Sequence, residues 1–315
     1  MKAHLCWLLA ATLLGACGGA DETALPSAGS DAAVLEEALR ETGGGGTGWR
    51  EGFVQLTTGV RMHYVEQGRQ DGPVLVLLHG YTDSFHSFDL DSALLPSRYH
   101  VYALDLRGHG DSSRPTCCYS QSNLAADVVA FLNSRGVSQA VLVGHSMGSF
   151  IAQQVALESP QRVRGLVLVG SAPTANNAVI RELKATVDTL QDPIDPAFVR
   201  DFQASTFYRP IPPAFLDTAV SESLKVPARV WKAALAGLAA ENHASQLWRI
   251  QAPVLVVGGD RDGIFSVGEQ RALAHALPNA RLALYADTGH APHVELPQRF
   301  VNDVVAFLQG PCALP

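Results

Sequence analysis

From residue 49 onward, apolar residues fall in short unbroken runs, separated by longer stretches with helical spacing. Val74-Leu75-Val76-Leu77-Leu78 is apolar at every position, the pattern of a strand covered on both faces. Similar runs occupy 99–104, 140–143, 163–169, 254–257 and 281–285. Segments 52–57 and 60–67 flank Thr58-Gly59 and predict a strand pair around that turn. Helical spacing predicts helices over 121–133, 146–158, 267–276 and 297–309. Strand and helix alternate. The pattern predicts an α/β fold, with a mostly parallel central sheet and helices on both faces.

One interval breaks this rhythm. Between Ser171 and Gln251 no strand is expected, and the stretch carries Pro193, Pro196, Pro210, Pro212 and Pro213. It also holds Phe198, Phe202, Phe207, Tyr208, Phe215, Trp231 and Trp248. Such residues either fill the core of a helical insertion or line a pocket beneath a lid. The expected layout is a core over 49–171 and 250–315, interrupted by a helical cap over 172–249.

The start of the chain reads differently. Met1-Lys2-Ala3-His4 is a short cationic opening, and residues 5–14 form an apolar stretch of signal-peptide length. It ends in Leu14-Gly15-Ala16-Cys17, which resembles the lipobox of bacterial lipoproteins. That resemblance implies a signal peptide over 1–16, cleavage before Cys17 and a lipid on Cys17. The protein is then exported and anchored to the bacterial cell envelope, facing the periplasm or the cell surface. Residues 18–48 are rich in Gly, Ala, Ser, Thr and Asp, the composition of a flexible tether.

Composition narrows the partners. The formal charge of −7 offers no basic face for nucleic acid. Neither Cys-x-x-Cys nor His-Glu-x-x-His occurs, so neither a metal nor another cofactor is expected. Of Cys117, Cys118 and Cys312, the adjacent pair closes a constrained ring, so a bond from one of them to Cys312 is the easier expectation.

The candidate chemistry sits in Gly144-His145-Ser146-Met147-Gly148, a Gly-x-Ser-x-Gly pattern between a buried strand and a helix. A serine hydroxyl needs a base, and the base needs an orienting acid. Both follow at the ends of later strands, Gly259-Asp260-Arg261-Asp262 after one and Thr288-Gly289-His290 after the next. Asp260 competes with Asp262 for the acid, and His293 with His290 for the base. With His79-Gly80 and Asp105-Leu106-Arg107-Gly108-His109-Gly110-Asp111-Ser112, these motifs resemble the α/β-hydrolase fold superfamily, in its esterase-like and lipase-like group.

That resemblance implies Ser146 as nucleophile, His290 as base and Asp262 as acid. It also implies an oxyanion hole from the backbone N–H groups of Tyr81 and Met147. His79 and His109 take structural places. The expected reaction is hydrolysis of a small-molecule carboxylic ester, a lactone included. The alternatives are a carbon–carbon, amide or peracid-type relative, and a surface-anchored binding protein of the same fold. Epoxide hydrolases of this fold carry an aspartate nucleophile, and Ser146 sets them aside.

Overall fold

The computed structural model describes residues 48–310. Cys17, the signal segment, the tether up to residue 47 and Cys312 lie outside these residues. Eight strands form one sheet: β1 (Arg50–Gln55), β2 (Arg61–Gly68), β3 (Val74–Leu78), β4 (His100–Leu104), β5 (Ala140–His145), β6 (Val163–Val169), β7 (Val254–Gly259) and β8 (Ala280–Tyr285). Their spatial order is β1-β2-β4-β3-β5-β6-β7-β8, with β1–β2 and β2–β4 antiparallel and every later pair parallel.

Eight longer helices accompany the sheet: α1 (Gln121–Ser134), α2 (Met147–Glu158), α3 (Ala178–Val187), α4 (Pro196–Ala204), α5 (Pro213–Lys225), α6 (Ala228–Ala239), α7 (Val267–Ala276) and α8 (Pro297–Gln309). None of the described helices is long and apolar enough to cross a membrane.

The apolar runs divide between two cores because successive strand side chains point to opposite faces. Val76 and Leu78 pack on one face, with Phe131 of α1 and Phe150 of α2. Leu75 and Leu77 pack on the other, with Phe300, Val304 and Phe307 of α8. Those α8 residues share one side of the helix at three- and four-residue spacing, and each buried phenylalanine stabilises the sheet face by roughly 1.5–3 kcal/mol.

Parallel register decides where the loops go. Leu78 stands beside Gly144, Gly144 beside Leu168, and Val169 beside Val257. The segments after β3, β5, β6, β7 and β8 therefore leave one edge of the sheet, where α/β folds place their sites. The four helices α3 to α6 lie between β6 and β7 in the chain. They meet this edge through Trp231 of α6, which is fully buried and whose carbonyl accepts the Tyr81 hydroxyl at 2.7 Å.

The cysteine expectation needs correction. Cys117 and Cys118 are bonded to each other, in an exposed turn. Cys118 adopts φ 75°, a left-handed conformation that folds the turn back on itself and closes the ring between neighbours.

A buried ion pair ties the segment after β4 to α1. Arg107 Nε and Nη2 donate to Asp127 Oδ2 and Oδ1 at 2.7 and 2.8 Å, and both side chains are buried. Removing one partner leaves the other charge unpaired, so Asp127→Ala is expected to cost about 3–5 kcal/mol in urea unfolding. Breaking the more exposed Lys184–Asp188 pair by Asp188→Ala should cost no more than about 1 kcal/mol in the same experiment.

Candidate active site

Ser146 occupies the single residue between β5 and α2, with φ 49° and ψ −118°. A non-glycine residue there is strained by about 1–3 kcal/mol and stays only if its surroundings hold it. They do. Its N–H donates to the Val169 carbonyl at 2.9 Å, and its carbonyl accepts the Ser149 N–H and hydroxyl at 2.8 and 2.6 Å.

The flanking glycines answer to space. A Cβ on Gly144 would run into the backbone of Gly148, and one on Gly148 into the Leu78 and His79 carbonyls. Any larger residue at either place would push α2 away from β3 and β5.

His290 and Asp262 meet from different loops. His290 Nδ1 lies 2.9 Å from Asp262 Oδ2, and both side chains are almost fully buried. The other Asp262 oxygen accepts the N–H groups of Ile264 and Phe265 at 2.8 and 3.0 Å. A carboxylate so held fixes the imidazole with its proton on Nδ1, leaving Nε2 as the acceptor. That Nε2 takes no protein partner among the described residues. His290 and Ser146 line the same cavity. Asp260 instead accepts the Thr288 N–H at 3.4 Å and stands near Arg261 at the surface.

The loop after β3 is set by His79. Its Nδ1 donates to the Gly80 carbonyl at 2.7 Å, and its Nε2 accepts the Leu106 N–H at 3.0 Å. Complete burial keeps this imidazole below its ordinary pKa and neutral, as that pairing requires. Tyr81 follows on the cavity wall. The N–H groups of Tyr81 and Met147 take no protein acceptor among the described residues.

Asp105 braces the loop from behind, accepting the N–H groups of Phe85 and Asp111, each at 2.8 Å, and facing His63 Nδ1 at 2.7 Å. His63, Asp105 and Asp111 bring metal-ligand atoms within 4.8 Å, but these bonds already occupy both Asp105 oxygens. The cluster is a clasp.

Beside His290 lie two further imidazoles. The His145 ring centroid is 4.4 Å from that of His293 and 5.1 Å from that of His290, and His145 Nε2 donates to the His290 carbonyl at 3.2 Å. Burial, then the nearby imidazoles, holds His145 well below its usual range. Burial and His290 push His293 down to about 3. These lowered neighbours place no fixed positive charge beside His290.

Of the aromatic residues in the inserted segment, Phe202, Phe207 and Phe215 line the cavity, Trp231 is core with Phe198 packed against it, and Tyr208 and Trp248 are exposed. Two acids on the wall escaped the sequence reading, Asp83 and Glu222. Neither lies in a recognisable pattern, so only the packing of helices reveals them. Burial raises the Asp83 carboxyl above its usual pKa, and Gln203 Nε2 donates to it at 2.9 Å.

A strained serine after a strand and a histidine–carboxylate pair after two later strands sit on a sheet whose family can be compared directly. The description alpha/beta hydrolase fold matches residues 73–297. The chain belongs to the alpha/beta hydrolase fold family. This hydrolase is 26% identical over 261 residues to 3-oxoadipate enol-lactonase 2 of Acinetobacter baylyi, covering 79% of this chain and 94% of the other. It is 41% identical over 118 residues to bifunctional epoxide hydrolase 2 of Sus scrofa, covering 36% of this chain and only 21% of that relative's length. Among solved structures, a membrane phospholipase A described as a bacterial virulence factor superposes with a TM-score of 0.76. It is 29% identical, with 90% of this chain and 93% of that one covered.

The buried imidazoles make the hydrolase acid-sensitive. His293 and His109, both pushed down to about 3 by burial from an ordinary 6.5, bind protons unfolded but not folded across that interval. Stability is therefore complete above pH 6.5 and is lost as pH falls toward 3, by up to about 1.4 kcal/mol per pH unit for each. Urea midpoints at pH 7 and pH ~4.5 should differ less for His293→Leu than for the wild type. An unchanged difference would remove His293 from this account.

Proposed function

We propose that this hydrolase cleaves largely apolar carboxylic esters that carry no anionic group, lactones included, through an acyl-enzyme on Ser146. The observation that carries the reading is His290: its Nδ1 pairs with Asp262, while its unpartnered Nε2 belongs to the cavity of the strained Ser146. In this reading His290 takes the Ser146 proton as Oγ attacks the carbonyl carbon. Asp262 holds the ring in its tautomer and stabilises the imidazolium. Negative charge collects on the carbonyl oxygen, where the N–H groups of Tyr81 and Met147 and the N-terminus of α2 receive it.

Breakdown of the tetrahedral species returns the proton from His290 to the leaving alcohol. Water then enters and gives a proton to His290 as its oxygen attacks the acyl carbon. The second tetrahedral species expels Ser146 Oγ, which takes that proton from His290, and the acid is released. The helices over 172–249 serve as the lid of this site.

The cavity supports the substrate class. Its lining includes neither lysine nor arginine, and it holds the carboxyl groups of Asp83 and Glu222. A carboxylate-bearing substrate, of the kind in the name of the 3-oxoadipate enol-lactonase, would meet no lysine or arginine there. The likeness to a membrane phospholipase A supports an acyl ester instead. It also accords with the second part of this reading, an exported chain held at the envelope by lipid on Cys17.

The test uses nitrophenyl esters from acetate to palmitate. Ser146→Ala and His290→Ala should each lower kcat by about 10⁴ or more, and the double variant should be no worse than either alone. Asp262→Asn should be far more damaging than Asp260→Asn. A Ser146→Ala protein that keeps its rate overturns the nucleophile, and the reverse order of the two aspartates overturns the acid.

A further inference from the structure

Two helix pairs line the cavity with different chemistry. From α3 and α6 come Ile180, Leu183, Leu235 and Leu238, an apolar wall. From α4 and α5 come Phe202, Phe215 and Ala219, together with Gln203, Thr218 and Glu222. Glu222 stands on the buried face of α5, with 7% of its surface exposed. A carboxylate in that position is costly unless it is paired.

It is half paired. Lys225 Nζ lies 2.8 Å from Glu222 Oε1, one helical turn on, and 3.2 Å from Asp111 Oδ1. Lys225 is itself partly exposed, so it approaches from the solvent side. Among the described residues Glu222 Oε2 takes no donor, while the side chain borders the same cavity as Ser146 and His290. The lysine pairs with one carboxylate oxygen from the solvent side and leaves the other as an acceptor toward the cavity.

We propose that Glu222 is a specificity-determining residue, whose free oxygen accepts a hydrogen bond from a donor on the substrate. The donor is a hydroxyl or an ammonium group on the part of the ester that lies along α4 and α5. The rest of the substrate is apolar and fills the α3/α6 side. An ester without the donor covers that oxygen without replacing the water it would otherwise bind, and a site built for a hydrogen bond rejects such an analogue more strongly than an apolar pocket rejects a missing methylene. This assignment rests on the ester-hydrolase reading above.

The experiment compares matched esters ending in methyl, hydroxyl or ammonium, with the end group placed first on the alcohol part and then on the acyl part. The full chain is assayed as wild type, Glu222→Met and Glu222→Gln. In one of the two placements, wild-type kcat/KM should favour the hydroxyl or ammonium ester over the methyl ester by about 5- to 150-fold. Glu222→Met should abolish or invert that preference while retaining the methyl ester as a substrate. Glu222→Gln keeps an acceptor without the charge, so it should retain most of a hydroxyl preference and lose most of an ammonium preference.

Equal wild-type rates for all end groups would overturn the assignment, as would a preference that survives Glu222→Met. Neither result touches the ester reading as long as turnover vanishes in Ser146→Ala. If the wild type hydrolyses none of the six esters, the ester reading falls and the role of Glu222 falls with it.

Discussion

The site depends on the close approach of α2 to the strand ends at Gly148. There the helix backbone lies against the Leu78 and His79 carbonyls, with no space for a Cβ. The contact draws the Met147 end of α2 toward the loop that carries Tyr81. It also forces Ser146 into its left-handed turn, since the chain must reverse within one residue to pass from β5 into the helix. The strain at Ser146 and the approach of α2 to the loop after β3 therefore share a cause. Sheet packing on both faces holds the arrangement, because neither core can relax without breaking the parallel ladder.

Around this contact the protein separates neutral from charged groups by burial and pairing. His79, His145 and His293 are buried and held below their usual pKa, so they serve as hydrogen-bonding or packing groups. His63 behaves oppositely. Burial alone would lower its pKa, but the hydrogen bond and charge of Asp105, aided by Glu51 and Asp111, raise it. The charged clasp lies behind the loops, while uncharged imidazoles lie beside His290. The division keeps fixed positive charge away from His290, as the base role proposed for it requires.

The fold sets the class of chemistry more firmly than the substrate, because the parts that differ between relatives are the loops and helices over the sheet edge. Here those parts are α3 to α6. The fold beneath them is shared with a membrane phospholipase A, and the sequence is similar to that of an enol-lactonase; the two names describe different substrates. In the reading proposed above, selection against anionic substrates falls to a few side chains over the sheet edge, and among the described residues no lysine or arginine lines the cavity.

The sequence by itself determined the sheet, its eight strands and the succession of serine, acid and histidine, because these signals are local. Unbroken apolar runs become buried strands, and glycines mark a turn too tight for side chains. It named the candidates, and the resemblance of their motifs favoured Asp262 over Asp260 and His290 over His293. Only the tertiary structure sets Asp262 2.9 Å from His290 and places Asp260 near the surface and His293 in the core. The bond between Cys117 and Cys118 depended on a left-handed turn that no composition rule reveals. Glu222 was illegible for a deeper reason. An acid on a helix is ordinarily solvated, and whether it faces water or a cavity is fixed by the rotation and packing of that helix on its neighbours. Those contacts join residues distant in the chain, so they exist only once the fold has formed.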